Sequence, residues 1–431
     1  MNMKVLIVSH NPITDYNSMG KTFLALFETF KAEEVCQFYI YPTLPNIRKC
    51  CSYYRVTDKD VLKRKKAGRV ISGREIRPDN TLYERASDQK IYQNKSRHRE
   101  FKLFCRNLIW KWGRWNTKAL QQWLAEQRPE VIFAAPGVSS FFYGVIEKMA
   151  DQLGIPIVSY VCDDFYFSTF AFRHGWLQKA YYRSLRRKIA DLMKRSAQVV
   201  TICDSLGEAY QQEFGCPTTA IYSGANMEVA SQPQKSDSTD LVYLGNLQLN
   251  RNQSLAEIGR ALQSINEENG THYRLLIYTG DRDPEILGPL QGIESIEVKG
   301  FVSGGEVHRI MQNALMLVHT ESFRPQDIER VRYSISTKIA DSLASGTCLF
   351  AYGSGQVASI KHLLDNHCAG VATGQEQLKA VLWDYLSHPE KREETAREGL
   401  VAARRFHSRE LQSGILRNVL SEVVTDESTS D

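Results

Sequence analysis

Short apolar runs alternate with helix-forming segments along most of the chain, and this alternation limits the possible folds more than any other feature. Lys4 to Ser9, KVLIVS, predicts a strand that is buried on both faces, and Gln198 to Cys203, QVVTIC, predicts another. Helical patterns such as Ser139 to Leu153 separate these runs. Because alternating strands and helices form doubly wound parallel sheets, the sequence predicts an α/β protein with one such domain in residues 4–224.

Length and composition favour more than one globular domain. The chain has 431 residues, which exceeds what a single compact core usually holds. It contains no run of about 18 apolar residues, so we expect no membrane span. Its nine cysteines are scattered without zinc-site spacing. Since the N-terminus carries no pattern of an export signal, we expect a cytoplasmic protein with reduced thiols.

A polar segment without periodicity divides the chain into two α/β parts. This segment, residues 229–240, reads VASQPQKSDSTD and predicts a linker. We therefore expect an N-terminal domain in residues 1–228 and a C-terminal domain in residues 241–408. Residues 409–431 predict a terminal helix followed by a disordered tail.

Residues 331–355, VRYSISTKIADSLASGTCLFAYGSG, predict a loop, a helix, a tight turn, a buried strand and a second loop. Ser336 and Thr337 lie at the expected helix start, where short hydroxyls satisfy free backbone amides. With Lys338, such a start is suited to a phosphate-bearing ligand. Asp341 follows Lys338 by one turn, where a carboxylate can bind ribose hydroxyls. An ordinary serine-rich helix cap explains the same residues, so the local pattern leaves both interpretations open.

The motif STKIADSLASG, followed by an apolar strand and a small-residue loop, resembles the nucleotide-sugar site of retaining family 4 glycosyltransferases with the GT-B fold. In that family an acidic residue five positions before the glycine holds the ribose, and Asp341 has this position. The resemblance implies two Rossmann-like domains facing across a cleft, with a terminal helix that crosses back to the first domain. It also implies a UDP- or GDP-sugar as donor substrate, with no metal and no other cofactor.

The same resemblance relates further residues to the donor. Glu321, which ends a predicted strand, is expected near the donor sugar. In the family, the loop at the positions of Gly245 and Asn246 binds the diphosphate. An arginine is common there at the position where this chain has Asn246. Arg251 is then expected to supply the cation, together with Lys338. An exposed loop residue or a helix-entry residue is the alternative for Arg251.

Three residues of the first domain are expected at the acceptor. The resemblance places Gly20 in a loop under the acceptor, although a glycine that lets strand and helix pack closely has the same pattern. Asp163 and Asp164 end a predicted strand, at the edge where α/β sheets bind ligands. The family often has a His-Asp pair there, and either acid is a candidate to orient or deprotonate an acceptor hydroxyl. Capping of the next helix is the alternative for both.

Positive charge is concentrated in the first domain. Arg55 to Lys118 contains 19 Lys or Arg and 7 Asp or Glu, a local +12, whereas the whole chain carries +5. Within it, Phe101 to Leu124 predicts one basic amphipathic helix with four tryptophans, and Leu177 to Ser196 predicts a second basic helix. Both suit an anionic membrane surface, but buried aromatic residues and a solvated charged face give the same pattern. We recognise no nucleic-acid-binding module, so we expect no nucleic-acid partner.

These observations predict a hexosyltransferase that transfers a sugar from a nucleotide diphosphate-sugar to a glycan or lipid-linked acceptor. The resemblance implies retention of configuration and a role in bacterial surface polysaccharide or glycoconjugate synthesis, with the inner face of the cell membrane as a candidate location. Asn246 and Tyr333, at positions where the family has other residues, leave a non-catalytic GT-B-like binding protein as an alternative. A phosphorylase or epimerase of the same fold is a further alternative.

Overall fold

The computed structural model describes residues 3–62, 73–76, 99–168, 175–302 and 304–428. The chain forms two compact units, the first composed of Met1–Tyr222 with Gln412–Asp431 and the second of Ser223–Leu411. Each unit has its own mainly parallel sheet with helical connections, so the predicted α/β class with two doubly wound sheets is confirmed.

Eight strands form the sheet of the first unit: β1 (Val5–Ser9), β2 (Val35–Tyr39), β3 (Ser52–Arg55), β4 (Arg74–Ile76), β5 (Val131–Ala135), β6 (Ile157–Val161), β7 (Gln198–Thr201) and β8 (Thr218–Ala220). Their order is β4-β3-β2-β1-β5-β6-β7-β8. All pairs are parallel except β3 with β4. The strand order reverses between β1 and β5, which makes β1 central, and all five β1 residues are buried as an apolar run predicts.

The first unit's helices are α1 (Ser18–Leu26), α2 (Asp58–Leu62), α3 (Arg99–Trp112), α4 (Lys118–Gln127), α5 (Ser140–Leu153), α6 (Trp176–Arg195) and α7 (Asp204–Phe214), with a 3-10 turn at Ala32–Glu34. The single helix predicted for residues 101–124 is wrong, because two helices, α3 and α4, cover this stretch. Gly113 lies between them so near α2 that a Cβ there would be 2.0 Å from Cγ1 of Val61. Thr117 then caps α4 by accepting a hydrogen bond from the Leu120 amide. Close packing and a new cap therefore interrupt a continuous helical pattern.

The four tryptophans of the basic segment divide between core and surface. Trp110, Trp115 and Trp123 are buried, and the indoles of Trp110 and Trp123 donate hydrogen bonds to Asp58 and Ser52. Trp112 is 74 % exposed. Most of these aromatic residues thus belong to the core. Residues 63–72 and 77–98, which carry much of the positive charge, lie outside the described residues.

Six strands form the sheet of the second unit: β9 (Asp240–Leu244), β10 (Arg274–Tyr278), β11 (Ile296–Val298), β12 (Met316–Thr320), β13 (Leu349–Tyr352) and β14 (Gly370–Ala372). The order is β11-β10-β9-β12-β13-β14, and every pair is parallel. The chain adds strands on one side of β9 and then returns to place β12 on the other side. Such a reversal opens a crevice at the carboxyl ends of the two strands, where sheets of this kind bind ligands.

The helices of the second unit are α8 (Arg251–Asn269), α9 (Pro284–Leu287), α10 (Gly304–Asn313), α11 (Pro325–Val331), α12 (Thr337–Ala344), α13 (Ala358–Asp365), α14 (Gln375–Ser387) and α15 (Pro389–Phe406), with a 3-10 turn at Gly288–Leu290. The segment expected as a linker is attached to this unit, because the amides of Ala230 and Gln234 donate to the carbonyls of Ala344 and Gly346.

The last helix, α16 (Arg409–Ser428), begins in the second unit and continues in the first. Its residues Leu416, Val419 and Leu420 are part of the first unit's apolar core. Arg417 forms two hydrogen bonds of 2.9 and 3.0 Å with the Glu34 carboxylate. The residues from Gln412 onward therefore complete a core that the N-terminal half of the chain builds. Among the described residues, no helix has the length and apolar character that crossing a membrane requires.

Candidate functional site

A cavity of about 250 Å³ lies at the strand-order reversal of the second unit. Its walls come from the ends of β9 and β12, the start of α8, and the loop that leads into α12. Six of the residues predicted from sequence line it: Asn246, Arg251, Glu321, Ser336, Thr337 and Lys338. The fold thus brings together side chains that are far apart in the sequence. Asn246 and Lys338, the most distant pair of the six, are separated by 92 positions (338 − 246).

Arg251 and Glu321 form an ion pair in this cavity. Nε of Arg251 donates to Oε2 of Glu321 at 3.1 Å, and Nη2 donates to Oε1 at 3.2 Å and to Oε2 at 2.9 Å. Nη1 donates to Oδ1 of Asn246 at 3.1 Å. The arginine therefore presents one whole edge of its guanidinium to the carboxylate, and it is not an exposed loop residue.

The fold holds Glu321 in place from several directions. Its side chain is nearly fully buried, its amide donates to the carbonyl of Tyr352, and its carbonyl accepts from the Ser254 hydroxyl. Burial alone would raise the pKa of Glu321, but the interactions with His319 and Arg251 outweigh it and lower the pKa below its usual value. Glu321 is therefore a carboxylate at neutral pH.

His319 was missed as a site residue in the sequence. It lines the cavity, and its Nε2 lies 3.5 Å from Oε1 of Glu321. The signal was present, since alternate residues of a strand point to the same face and His319 precedes Glu321 by two positions.

The loop between β9 and α8 has an unusual backbone that fixes the position of Arg251. Leu249 and Asn250 both adopt left-handed conformations, with φ of 58° and 59°. Such conformations are costly for residues other than glycine and concentrate at ligand-binding loops. Gly245 begins this loop, and a Cβ there would be 2.8 Å from Nζ of Lys338. The predicted loop glycine thus leaves space for the predicted lysine.

The start of α12 is open toward the cavity. Ser336 has the N-cap position, but its side chain makes no capping hydrogen bond, contrary to the prediction from its hydroxyl. Thr337 and Lys338 form the first turn and line the cavity. Desolvation of its ammonium group lowers the pKa of Lys338, and the nearby charge of Arg251 lowers it further. Part of the Lys338 side chain still contacts solvent. Two cationic side chains, Lys338 and the Arg251 that pairs with Glu321, thus line the cavity near this helix start.

Asp341 does not line the cavity. Its Oδ1 accepts a 2.5 Å hydrogen bond from the Asn226 amide, and its Oδ2 accepts a 3.1 Å bond from the Asn226 side chain. Arg409 in turn donates to Oδ1 of Asn226 at 2.6 Å. In this structure the carboxylate anchors the segment that follows the first unit, and its expected contact with a ribose stays a prediction.

Gly20 belongs to the first unit, in the first turn of α1. A Cβ there would be 2.2 Å from Oγ1 of Thr14 and 2.7 Å from two backbone atoms of the same residue. The Gly20 amide donates to the Asn17 side chain at 2.7 Å. Close packing of helix against loop therefore accounts for the glycine, and its expected place near an acceptor stays a prediction.

Asp163 and Asp164 follow β6 in the first unit and differ in their surroundings. Oδ1 of Asp164 accepts hydrogen bonds from the amides of Tyr166 and Phe167, which lie in a bend and not in a helix, so the helix-capping alternative stays a prediction. Burial raises the pKa of Asp164, and these bonds oppose the increase. Desolvation by the surrounding protein, followed by the charge of Asp164, raises the pKa of Asp163 to about 6, although its side chain still contacts solvent. Asp163 thus has the pKa of a general base that works near neutral pH.

In the part of the chain that the structure describes, no group of three or more His, Cys, Asp or Glu is positioned to hold a metal ion.

Two family models match different parts of the chain. Residues 78–229 match the family described as Glycosyltransferase Family 4, and residues 259–412 match the family described as Glycosyl transferase-like. No curated protein sequence gives a significant match.

Solved structures share the fold over nearly the full length. Sucrose-phosphate synthase from Thermosynechococcus elongatus superimposes with a TM-score of 0.61 at 11 % identity, covering 98 % of this chain and 100 % of that chain. The UDP-forming alpha,alpha-trehalose-phosphate synthase from Burkholderia xenovorans, in complex with glucose-6-phosphate, gives a TM-score of 0.58 at 10 % identity, with 97 % and 99 % covered. Anabaena HepE in complex with UDP-glucose gives 0.58 at 12 % identity, with 97 % and 100 % covered. These structures show that the chain has the GT-B fold, and the two family models, each covering less than half of the chain, match glycosyltransferase domains within it.

Proposed function

We propose that the enzyme binds a UDP- or GDP-sugar through its diphosphate in the second-unit cavity and transfers the sugar to a glycan or lipid-linked acceptor. One observation carries this proposal: Arg251, Lys338 and the open start of α12 line the same cavity. A guanidinium offers parallel donors to phosphate oxygens, and a helix N-terminus offers backbone amides and a positive dipole. Two adjacent phosphates therefore suit this wall of the cavity.

The reaction releases a nucleoside diphosphate, and its leaving oxygen gains negative charge as the bond to the sugar breaks. Fixed positive groups around that oxygen stabilise the transition state more than the ground state. Arg251 and Lys338 supply such groups from the protein itself. We therefore expect transfer without a divalent metal, and equal rates with EDTA or with added magnesium would support this part of the proposal.

Glu321 is proposed to lie near the donor sugar, because it directly follows β12 and lines the cavity together with both cations. Asp341 is proposed to bind the ribose. Its carboxylate already accepts two bonds from Asn226, but two carboxylate oxygens offer about four acceptor positions. Ribose hydroxyls can therefore bind beside Asn226 or replace it.

Two of the similar structures support a nucleotide-sugar donor, since HepE was solved with UDP-glucose and the trehalose-phosphate synthase is described as UDP-forming. The resemblance to retaining family 4 enzymes supports retention of configuration and a role in bacterial surface polysaccharide or glycoconjugate synthesis.

On the acceptor side, Asp163 is the proposed base, because its pKa of about 6 leaves it ionised at neutral pH.

A lipid-linked acceptor would bring the first unit to a membrane surface, and two neighbouring helices are suited to such contact. On α3, Phe104 and Trp112 are exposed, and on α6, which packs against α3, Trp176 and Leu177 are exposed. The exposed basic side chains of α6 include Lys179, Arg183 and Arg187. Exposed aromatic residues among basic ones are typical of proteins that lie on anionic lipid surfaces.

Vesicle sedimentation tests this membrane contact. We expect the full chain to bind vesicles that contain phosphatidylglycerol and not vesicles of phosphatidylcholine alone, and a W112S/W176S variant to lose most of this binding. Phe301→Ser removes an equally exposed aromatic residue from the second unit and serves as the control. Equal binding of all three proteins would contradict the membrane contact and leave the donor site unaffected.

Calorimetric titration of the full-length protein with UDP-glucose and GDP-mannose tests the donor site. We expect one of these probes to bind, and Lys338→Met to weaken that binding about tenfold, as loss of one charged phosphate contact implies. If neither probe binds the wild-type protein, or if Lys338→Met binds equally well, the proposed site is wrong.

A further inference from the structure

The imidazole of His319 is buried beside the ion pair of the cavity, and its Nε2 makes no hydrogen bond of good geometry. The residue is 8 % exposed, and Nε2 has no hydrogen-bond partner among the residues that the structure describes. Oε1 of Glu321 lies 3.5 Å away, close enough for His319 to lower the pKa of that carboxyl but beyond good hydrogen-bonding distance. Buried polar atoms without partners are rare, and each one calls for an explanation.

The ion pair itself poses a problem for donor binding. Nε and Nη2 of Arg251 both donate to Glu321, so one of the two guanidinium edges that can bind a phosphate in two-point fashion is already occupied, and Nη1 on the other edge donates to Asn246. A diphosphate that takes the first edge removes from Glu321 its main positive partner. The carboxylate is nearly fully buried, and a buried charge that loses its partner is strongly destabilising.

We infer that His319 is a positioning residue that donates a hydrogen bond to Glu321 when Arg251 leaves Glu321 and binds the donor's diphosphate. The imidazole needs to move only a few tenths of an ångström for Nε2 to donate to Oε1. Its N–H then replaces the guanidinium as the donor to the carboxylate, and Glu321 keeps its place beside the donor sugar. This inference rests on the proposed diphosphate site, which it extends from binding groups to an exchange of partners.

Other groups hold the carboxylate only weakly. The Ser359 hydroxyl lies 3.5 Å from Oε1 of Glu321 and is a neutral donor. The remaining charged or titratable groups near the cluster are Lys338 on α12, Tyr243 on β9 and Asp281 beyond β10. Lys338 is itself proposed to bind phosphate, so His319 is the group left to replace Arg251.

The exchange predicts that His319 contributes to donor binding only through Glu321. UDP-glucose and GDP-mannose are suitable probes, because both carry the diphosphate that Arg251 is proposed to bind. Lys338 also lies near the ligand, and its contribution to binding stays when His319 is replaced.

The experiment compares full-length wild type, H319F, E321Q and the H319F/E321Q double variant by titration calorimetry. We expect H319F, which has no side-chain N–H to donate, to weaken binding of the probe about tenfold. H319Q keeps an amide N–H and should recover part of this loss. In the E321Q background, H319F should have little further effect, because a histidine that acts through the Glu321 carboxylate has nothing to act on there. Melting temperatures of all variants show whether they are folded.

His272→Phe is the matched control, since His272 is exposed in the same unit, and it should bind as wild type does. Additive effects of H319F and E321Q, or an H319F variant with wild-type affinity, would overturn the inference while the donor site stands. A wild-type protein that binds neither probe would overturn the proposed function, and the inference with it. If the H319F variant is poorly folded, His319→Leu replaces it in the same cycle.

Discussion

The ion pair between Arg251 and Glu321 allows a stability prediction whose size follows from the structure. Its shortest contact is 2.9 Å, and the exposed fractions of the two side chains are 16 % and 4 %. With an effective dielectric constant of about 20, Coulomb's law gives an attraction of about 6 kcal/mol at this distance. Desolvation offsets part of this attraction, but removal of one partner from a buried pair still costs about 3–5 kcal/mol.

We therefore expect Arg251→Met to destabilise the second unit by about 3–5 kcal/mol near neutral pH. In a unit of this size, each kcal/mol corresponds to a melting-temperature change of about 2–4 °C, so a shift of about 10 °C should be visible. Differential scanning calorimetry of the full-length protein measures it. Arg274→Met is the control, because Arg274 pairs with Asp240 at the surface, where such pairs contribute at most about 1 kcal/mol.

The pH dependence gives a second check on the same reasoning. The pKa of Glu321 is lowered in the folded protein, so the pair stabilises above the unfolded pKa of 4.5 and loses its effect as the pH falls through the lower folded value. In Arg251→Met the isolated carboxylate protonates more readily, so the difference from wild type should shrink between about pH 8 and about pH 5. An R251M/E321Q variant should recover much of the loss. A change below about 0.5 kcal/mol in Arg251→Met, or a loss that the double variant does not reduce, would refute the buried pair.

Three further predictions concern other positions. Gly20→Ala should destabilise the first unit by about 1–3 kcal/mol, because its Cβ would be 2.2 Å from Oγ1 of Thr14; an unchanged melting temperature would contradict the packing explanation. Lys338→Met should raise the KM for the donor while the melting temperature stays within about 1 °C of wild type, and Lys361→Met, on the exposed face of α13, should change neither. With Asp163 as base, kcat/KM for the donor-acceptor pair should rise with pH through about 6, and this limb should be absent from the residual activity of Asp163→Asn.

Some of the fold follows directly from local sequence signals. The apolar runs at β1 and β7 are buried strands within one residue or two of their predicted ends, because period and composition agree there. The hydroxyl-rich start of α12 was also predicted, and its neighbours Lys338, Arg251 and Glu321 do line one cavity. Each of these signals lies within a few residues of the element it predicts.

Other features depend on contacts between distant residues, which a single sequence does not report. The break between α3 and α4 arises where Gly113 meets Val61. The partner of Asp341 is Asn226, 115 positions away, so sequence patterns gave no sign that this carboxylate is already hydrogen-bonded. No helix is predicted from the sequence between Glu321 and α12, but residues Pro325–Val331 form α11, with Pro325 in its first turn.

The passage of α16 from the second unit into the first has a practical consequence for anyone who shortens this chain. Deleting residues beyond Leu411 would remove Leu416, Val419 and Leu420 from the N-terminal core, with about 1.5–3 kcal/mol of burial for each of them. A clone that stops at Leu411 should therefore yield an intact second unit attached to an unfolded first unit. A clone designed to express the first unit alone must carry the last helix as well, for example through a circular permutation that joins Gln412–Ser428 to the beginning of the chain.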